Sequence, residues 1–167
     1  GHDCLKPSVI KQCKEKESLV APLTFIYNLS ITDGCVPNSL KYAYVTPVFK
    51  SGDQGLMNNY RPISVLPVFS KILERLVFNR LYSFVTGKNY LSINQFGFRK
   101  GLSTEMALTI AIDNITQAIE NHEHCVRLFL DLKKAFDTVD SDILLKKMYC
   151  YGVRGIALEW FASYLSD

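Results

Sequence analysis

No two of the five cysteines stand as CxxC, so the sequence offers neither a zinc ribbon nor a thioredoxin-type redox pair. Cys4, Cys13, Cys35, Cys125 and Cys150 are an odd set, and free thiols in a reducing compartment are the expectation. No apolar run approaches ~18 residues, so nothing is expected to span a membrane. The first residues lack the apolar stretch of a secretory leader. Internal repeats, low-complexity segments and a glycine-rich phosphate loop ending in Gly-Lys-Ser/Thr are all missing. Charge of one sign is scarce as well: 19 Lys and Arg against 16 Asp and Glu leave +3. That is too small to argue a nucleic-acid partner without local basic clusters.

What is present is ordinary for a folded domain. Of 167 residues, 48% are apolar and 21% charged, which excludes disorder of the whole chain. The length matches one domain. The chain starts at Gly1 rather than Met and stops at Asp167, so the length is expected to describe a part of something longer.

Residues 17–33 read as a helix, with Leu19, Val20, Leu23, Ile26, Tyr27 and Ser30 near a 3.6 period and Gly34 as its stop. Residues 41–50 read as a strand in which Pro47 marks an edge or bulge. Residues 51–59 are a loop by turn chemistry, and 60–66 resume as extended chain, so a long-tipped hairpin is predicted. Over 68–86, Phe69, Ile72, Leu73, Leu76, Val77, Leu81 and Phe84 fall on one helical face, and Lys71, Glu74, Arg75, Asn79 and Ser83 on the other. Residues 92–101 read as irregular or short strand. Ser103 caps a helix to about His122, with Ala107, Ile110, Ala111, Ile115 and Ile119 inward. The apolar run 125–132 predicts a buried strand. Asp140 or Ser141 caps a helix carrying Ile143, Leu144, Lys147 and Met148, and Gly152 separates it from a last helix over 154–165. The fold class is α+β, with helices packed on a few mostly antiparallel strands.

Asp131 needs an explanation. A carboxylate in an apolar strand costs several kcal/mol without a partner. Arg127 shares its face but lies roughly 13 Å along an extended chain. Two readings stand open: a ligand for a hard cation such as Mg²⁺ at a strand end, or a solvated strand end. Asp137, ~20 Å further if the strand ran on, reads as a structural residue of a turn near Lys134 and Ala135. His122 and His124 beside Cys125 read as loop residues, and Gly52-Asp53-Gln54-Gly55 as an isolated GxxG.

Phe129-Leu130-Asp131-Leu132-Lys133-Lys134-Ala135-Phe136-Asp137-Thr138-Val139 resembles the first catalytic motif of reverse transcriptases from non-LTR, LINE-type retrotransposons. Asn59-Tyr60-Arg61-Pro62-Ile63-Ser64, after Thr46-Pro47-Val48-Phe49-Lys50-Ser51-Gly52-Asp53, resembles that family's fingers motif. Gln95-Phe96-Gly97-Phe98-Arg99-Lys100-Gly101 with Ser103-Thr104 resembles its template block. Leu144-Leu145-Lys146-Lys147-Met148, Tyr151-Gly152-Val153, Trp160 and Ser163-Tyr164-Leu165-Ser166 fit the stretch that follows. The blocks stand in family order over nearly the whole chain, most similar to the CR1/jockey-like type.

The resemblance implies a right-hand polymerase: a helical region over 1–40, fingers over 41–122 and the start of the palm over 123–167. It implies an RNA template, a DNA primer or target, deoxynucleoside triphosphates and Mg²⁺, with Mn²⁺ as the alternative, inside the cell in nucleus or cytoplasm. Asp131 matches a catalytic carboxylate, and the Leu132 carbonyl helps hold a metal. Ala135 and Phe136 match positions under the triphosphate, Phe136 being the steric gate against a 2′-hydroxyl; the alternative for its ring is core packing. Lys50 and Arg61 match triphosphate-holding positions of the hairpin, against solvated charges. Gln95, Gly97, Arg99 and Lys100 match the template block, against aromatics in the core and basic groups in water. For Lys71, Arg75 and Arg80 the two readings are a flank of the same template channel and the polar face of their helix, the second being preferred. The family's second catalytic block, an aromatic–Ala–Asp–Asp hairpin, does not occur in these 167 residues. The chain alone is therefore expected to be inactive, with an open sheet edge. The alternative is a non-enzymatic nucleic-acid-binding or structural protein derived from the fingers.

Overall fold

The computed structural model describes residues 5, 7–13 and 17–166. Cys4 lies outside them; Cys13, Cys35, Cys125 and Cys150 are free thiols, as expected. The chain divides into two units, residues 1–82 with 140–167, and residues 83–139. The helices are α1 (Pro7–Cys13), α2 (Glu17–Thr32), α3 (Asn38–Lys41), α4 (Val68–Gly87), α5 (Thr104–Glu120), α6 (Ser141–Cys150) and α7 (Ile156–Leu165). Strands β1 (Tyr44–Phe49) and β2 (Tyr60–Val65) complete an α+β chain. Among the described residues no helix is long and apolar enough to cross a membrane.

The first unit is built around Tyr27, Val36, Leu73 and Trp160, with Leu23, Leu40, Ile72, Val77, Phe161 and Tyr164 packed on them. α2 covers Leu19, Leu23, Tyr27 and Ser30, a stripe at spacings of four, four and three. Val20 and Ile26, expected on that face, are exposed because they flank the stripe. Three polar groups in this core are paired. Trp160 Nε1 donates to Ser30 Oγ at 3.1 Å, Ser30 Oγ donates to the Cys35 carbonyl at 2.6 Å, and Tyr27 Oη donates to the Phe69 carbonyl at 2.8 Å. Gly34 ends α2 at φ +63°, and a Cβ there would lie 3.2 Å from Glu159 Cβ and from the Ile156 carbonyl. Only glycine suits both the left-handed turn and the approach of α7.

α4 places Leu73 in this core, while Leu76, expected beside it, is exposed. Ser70 is buried on the same helix, and its Oγ has no hydrogen-bond partner. An orphaned hydroxyl costs about 1–3 kcal/mol, and replacing it with a methyl removes that cost. Ser70→Ala is therefore expected to raise the thermal midpoint of the helical signal by about 2–4 °C per kcal/mol recovered. A lower midpoint in thermal circular dichroism would contradict this account.

β1 and β2 form an antiparallel hairpin with Pro47 opposite Pro62. Lys50 N–H donates to the Asn59 carbonyl at 2.8 Å, making that a hydrogen-bonded pair. Alternation then makes Pro47 and Pro62 a non-hydrogen-bonded pair, whose missing N–H groups face outward and cost the ladder nothing. Both outer edges are thereby blunted against further pairing.

In the second unit, Ser103 Oγ accepts from Met106 N–H at 3.3 Å and caps α5, as the sequence predicts. The half-covered stripe is Ala107, Ala111, Ile115 and Ala118; Ile110 and Ile119, expected inward, are exposed because they lie off its axis. The largest departure is at 125–132. No strand forms there, and the run is exposed. A strand needs a partner for its backbone N–H and C=O groups, and among the described residues the sheet consists of β1 and β2 alone. The fold thus has fewer strands than predicted. The turn expected after it does form, with Lys134 at φ +54° and Thr138 N–H donating to the Lys134 carbonyl at 3.2 Å. Asp140 Oδ1 then accepts from Ile143 N–H at 2.9 Å to cap α6, while Ile143 itself is exposed.

Candidate functional site

The hairpin carries Lys50 and Arg61. Arg61 stands opposite Val48 in the register, so the two-residue pleat puts Lys50 on the same face, diagonal to Arg61. Phe49 and Tyr60 fill the opposite face, edge to ring at 5.5 Å between centroids. The tip is tied internally. Asp53 Oδ1 accepts from Gly55 N–H at 2.8 Å, Asn59 Nδ2 donates to the Asp53 carbonyl at 2.8 Å, and Tyr60 Oη donates to the Gln54 carbonyl at 2.9 Å. Gly52 sits at φ +93°, and a Cβ there would come within 2.8 Å of Asn59 Nδ2. The hairpin therefore presents two cations on one face of a preorganised ribbon, suited to an anion of extended shape.

The second unit carries the other predicted residues. In the template block, Gln95 Nε2 donates to the Gly97 carbonyl at 3.2 Å and Arg99 Nη1 to the Ser92 carbonyl at 2.7 Å. Arg99 thus serves its own loop as well as presenting a charge. A Cβ at Gly97 would meet nothing within 4 Å, so this stretch of backbone is open to close approach. Lys100 is exposed. Asp131, Leu132 and Ala135 are all exposed.

Phe136 is 75% exposed, which removes core packing as the account of its ring. The ring instead meets Phe98 edge to face, centroids 5.9 Å apart at 86°. Phe98 was not singled out by sequence reasoning beyond its place in an aromatic pair. It is 84% exposed and holds φ +60°, an uncommon conformation for a bulky residue. The Gln95–Lys100 block and the 131–136 stretch meet through these two rings. A non-glycine residue at positive φ leaves no trace in composition or periodicity, so the signal was absent from the sequence.

The fit to metal ions is partial. Asp131 and the Leu132 carbonyl are hard oxygen donors of the right type. A two-metal site needs several carboxylates about two ions 3.5–4 Å apart. Among the described residues no three His, Cys, Asp or Glu side chains are grouped so as to hold a metal ion. Among the described residues, Asp131 and Leu132 therefore stand without further clustered side-chain ligands.

A groove of about 500 Å³ lies in the first unit between α4 and α7, floored by Trp160, Phe161 and Tyr164 and edged by Lys71 and Arg75. Tyr164 Oη donates to Glu74. Burial, then the Glu74 carboxylate, push the Tyr164 hydroxyl well above its ordinary range, so it stays protonated. This pair latches α7 to α4.

Residues 48–166 match the family model described as reverse transcriptase (RNA-dependent DNA polymerase). The chain is 37% identical over 127 residues to the probable RNA-directed DNA polymerase from transposon BS of Drosophila melanogaster, covering 75% of this chain and 14% of that protein. It is 36% identical over 126 residues to the RNA-directed DNA polymerase from mobile element jockey of the same species, covering 75% and 14%. The jockey polymerase of Drosophila funebris is 32% identical over 148 residues, covering 88% and 16%. The chain thus spans 14–16% of the length of these relatives.

Proposed function

Since the chain belongs to the reverse transcriptase (RNA-dependent DNA polymerase) family and is similar to its jockey-like, non-LTR members, we propose that it serves RNA-directed DNA synthesis within a longer polymerase. In this reading residues 1–40 precede the fingers, 41–122 form the fingers and 123–167 open the palm. The RNA template, a DNA primer or target and deoxynucleoside triphosphates are the substrates. Mg²⁺, or Mn²⁺ in its place, is the cation, and nucleus or cytoplasm is the compartment.

The chain's own residues divide the work of binding. Lys50 and Arg61 hold phosphate oxygens, Arg61 in a two-pronged grip and Lys50 as a point charge. Gln95, Gly97, Arg99 and Lys100 follow the template backbone, which gives affinity with little sequence preference. Ala135 and Phe136 lie under the incoming nucleotide. Asp131 supplies one carboxylate, and Leu132 one carbonyl, to a donor set that other residues of the longer protein complete.

The observation that carries this reading is the meeting of Phe98 and Phe136, both exposed, which joins the template block to the stretch beside Asp131. Primer extension on an RNA template with the longer protein tests it. Template-directed incorporation is expected, and Asp131→Asn is expected to remove it. Incorporation untouched by that substitution would overturn the role given to Asp131.

A further inference from the structure

We propose that Gln95 and Arg99 are positioning residues. They clamp the backbone on either side of Phe98, hold it left-handed and so set its ring against Phe136, which tunes how strictly that ring excludes a 2′-hydroxyl. The proposal rests on the reading of Phe136 as the steric gate.

Residues 92–101 contain no helix or strand, so their conformation rests on local hydrogen bonds. Within them Phe98 holds φ +60°. For a bulky side chain that region is strained, and such a residue persists only where its surroundings over-determine it. Glycine would take the same backbone freely, so the chain keeps a ring where the backbone alone favours none. Two side chains supply the constraint. Gln95 Nε2 donates to the Gly97 carbonyl at 3.2 Å. That oxygen belongs to the planar peptide that enters Phe98, and φ is the rotation of this plane about the N–Cα bond, so Gln95 acts on the strained torsion directly. Arg99 Nη1 donates to the Ser92 carbonyl at 2.7 Å, seven residues back. Its donor is charged, which makes it the stronger tie. The Ser92 carbonyl also accepts from Gln95 N–H at 3.1 Å, and Ser92 Oγ accepts from Asn94 N–H at 3.2 Å. Ser92 is the common anchor, and the backbone on both sides of Phe98 is tied to it, directly by Arg99 and through Gln95.

The constraint has a consequence at Phe136. The Phe98 ring meets it edge to face, centroids 5.9 Å apart. Relaxing Phe98 to an ordinary negative φ would carry its Cβ to another side of the chain and take the ring out of that contact. The hydrogen bonds within 92–99 therefore reach the sugar-selecting ring through a single residue. A guanidinium has several N–H donors, so the bond to Ser92 leaves others for a template phosphate. These two duties of Arg99 differ in what they affect. A phosphate contact changes template affinity alike for every incoming nucleotide. The clamp changes the choice between deoxy- and ribonucleotide on one and the same template.

Steady-state kcat/KM for a matched deoxy- and ribonucleotide on one template–primer, measured in the longer protein, tests this. Arg99→Ala and Gln95→Ala should each lower the deoxy-to-ribo ratio about threefold, a part of the roughly 10- to 10²-fold of the whole gate. In a Phe98→Ala background neither should lower it further, because the ring they position is gone. Partial unfolding removes active enzyme for both nucleotides alike and cancels from the ratio. Should a variant be inactive, nuclear Overhauser contacts between the Phe98 and Phe136 rings in the 167-residue chain decide the matter; they should weaken in Arg99→Ala and in Gln95→Ala. A ratio at the parent value in both variants, while Phe136→Val moves it, overturns the clamp and leaves the gate standing. An equal drop with and without the Phe98 ring overturns the clamp as well. A ratio unmoved by Phe136→Val overturns the gate reading instead, and ring contacts undiminished in both variants would then overturn the clamp too.

Discussion

The 167-residue chain alone is expected to incorporate no nucleotide, in Mg²⁺ or in Mn²⁺. The reason lies in the donor set. Asp131 is exposed in a segment without a strand partner, and no three metal-binding side chains converge among the described residues. One carboxylate in water binds a divalent cation weakly and fixes no geometry. Charge stabilisation at a formed metal centre is worth several kcal/mol. Losing about 4 kcal/mol of it lowers the rate about 10³-fold. Primer extension by the chain alone should therefore lie at least about 10³-fold below that of the longer protein. Titration calorimetry with Mn²⁺ should likewise show no saturable site. Measurable Asp131-dependent synthesis by the chain alone would mean that its own residues assemble the centre after all.

The missing strand also shows where sequence reading stops. Local features were legible. Ser103 and Asp140 cap the helices expected of them, because capping depends on residues three positions apart. The hairpin was legible from two strand-like runs around a turn-rich tip, and its register then explains both prolines. Residues 125–132 have the composition of a buried strand and are exposed, because strand formation depends on a partner that no local pattern contains. The same limit explains Val20, Ile26, Leu76 and Ile110, all apolar and all exposed: periodicity gives a face, and only packing decides how wide an arc of it is covered. At the site, the motif blocks named Phe136, Arg61 and Asp131 from order and identity alone. The Phe98–Phe136 contact was not legible, since it joins residues 38 apart (136 against 98) through a backbone at positive φ.

That contact makes the sharpest prediction about substrate choice. In the longer protein, Phe136→Val is expected to relax discrimination against ribonucleotides while deoxynucleotide incorporation stays within a few fold. The ring stands out from the chain and meets Phe98 edge to face. In the proposed gate role, a 2′-hydroxyl entering the space the ring occupies would meet an overpacked contact, which costs about 1–3 kcal/mol. That is about a 10- to 10²-fold loss for ribonucleotides. Valine removes the ring and with it the collision. Phe98→Ala should move the same ratio in the same direction by less, because it removes the contact and leaves the ring. Phe136→Tyr, which keeps the ring, should hold the ratio near the parent value. Steady-state kcat/KM for matched deoxy- and ribonucleotides reads all three. A ratio unmoved by Phe136→Val would place the ring away from the sugar. A ratio moved equally by Phe98→Ala and Phe136→Val would make the pair, rather than the single ring, the element that excludes the hydroxyl.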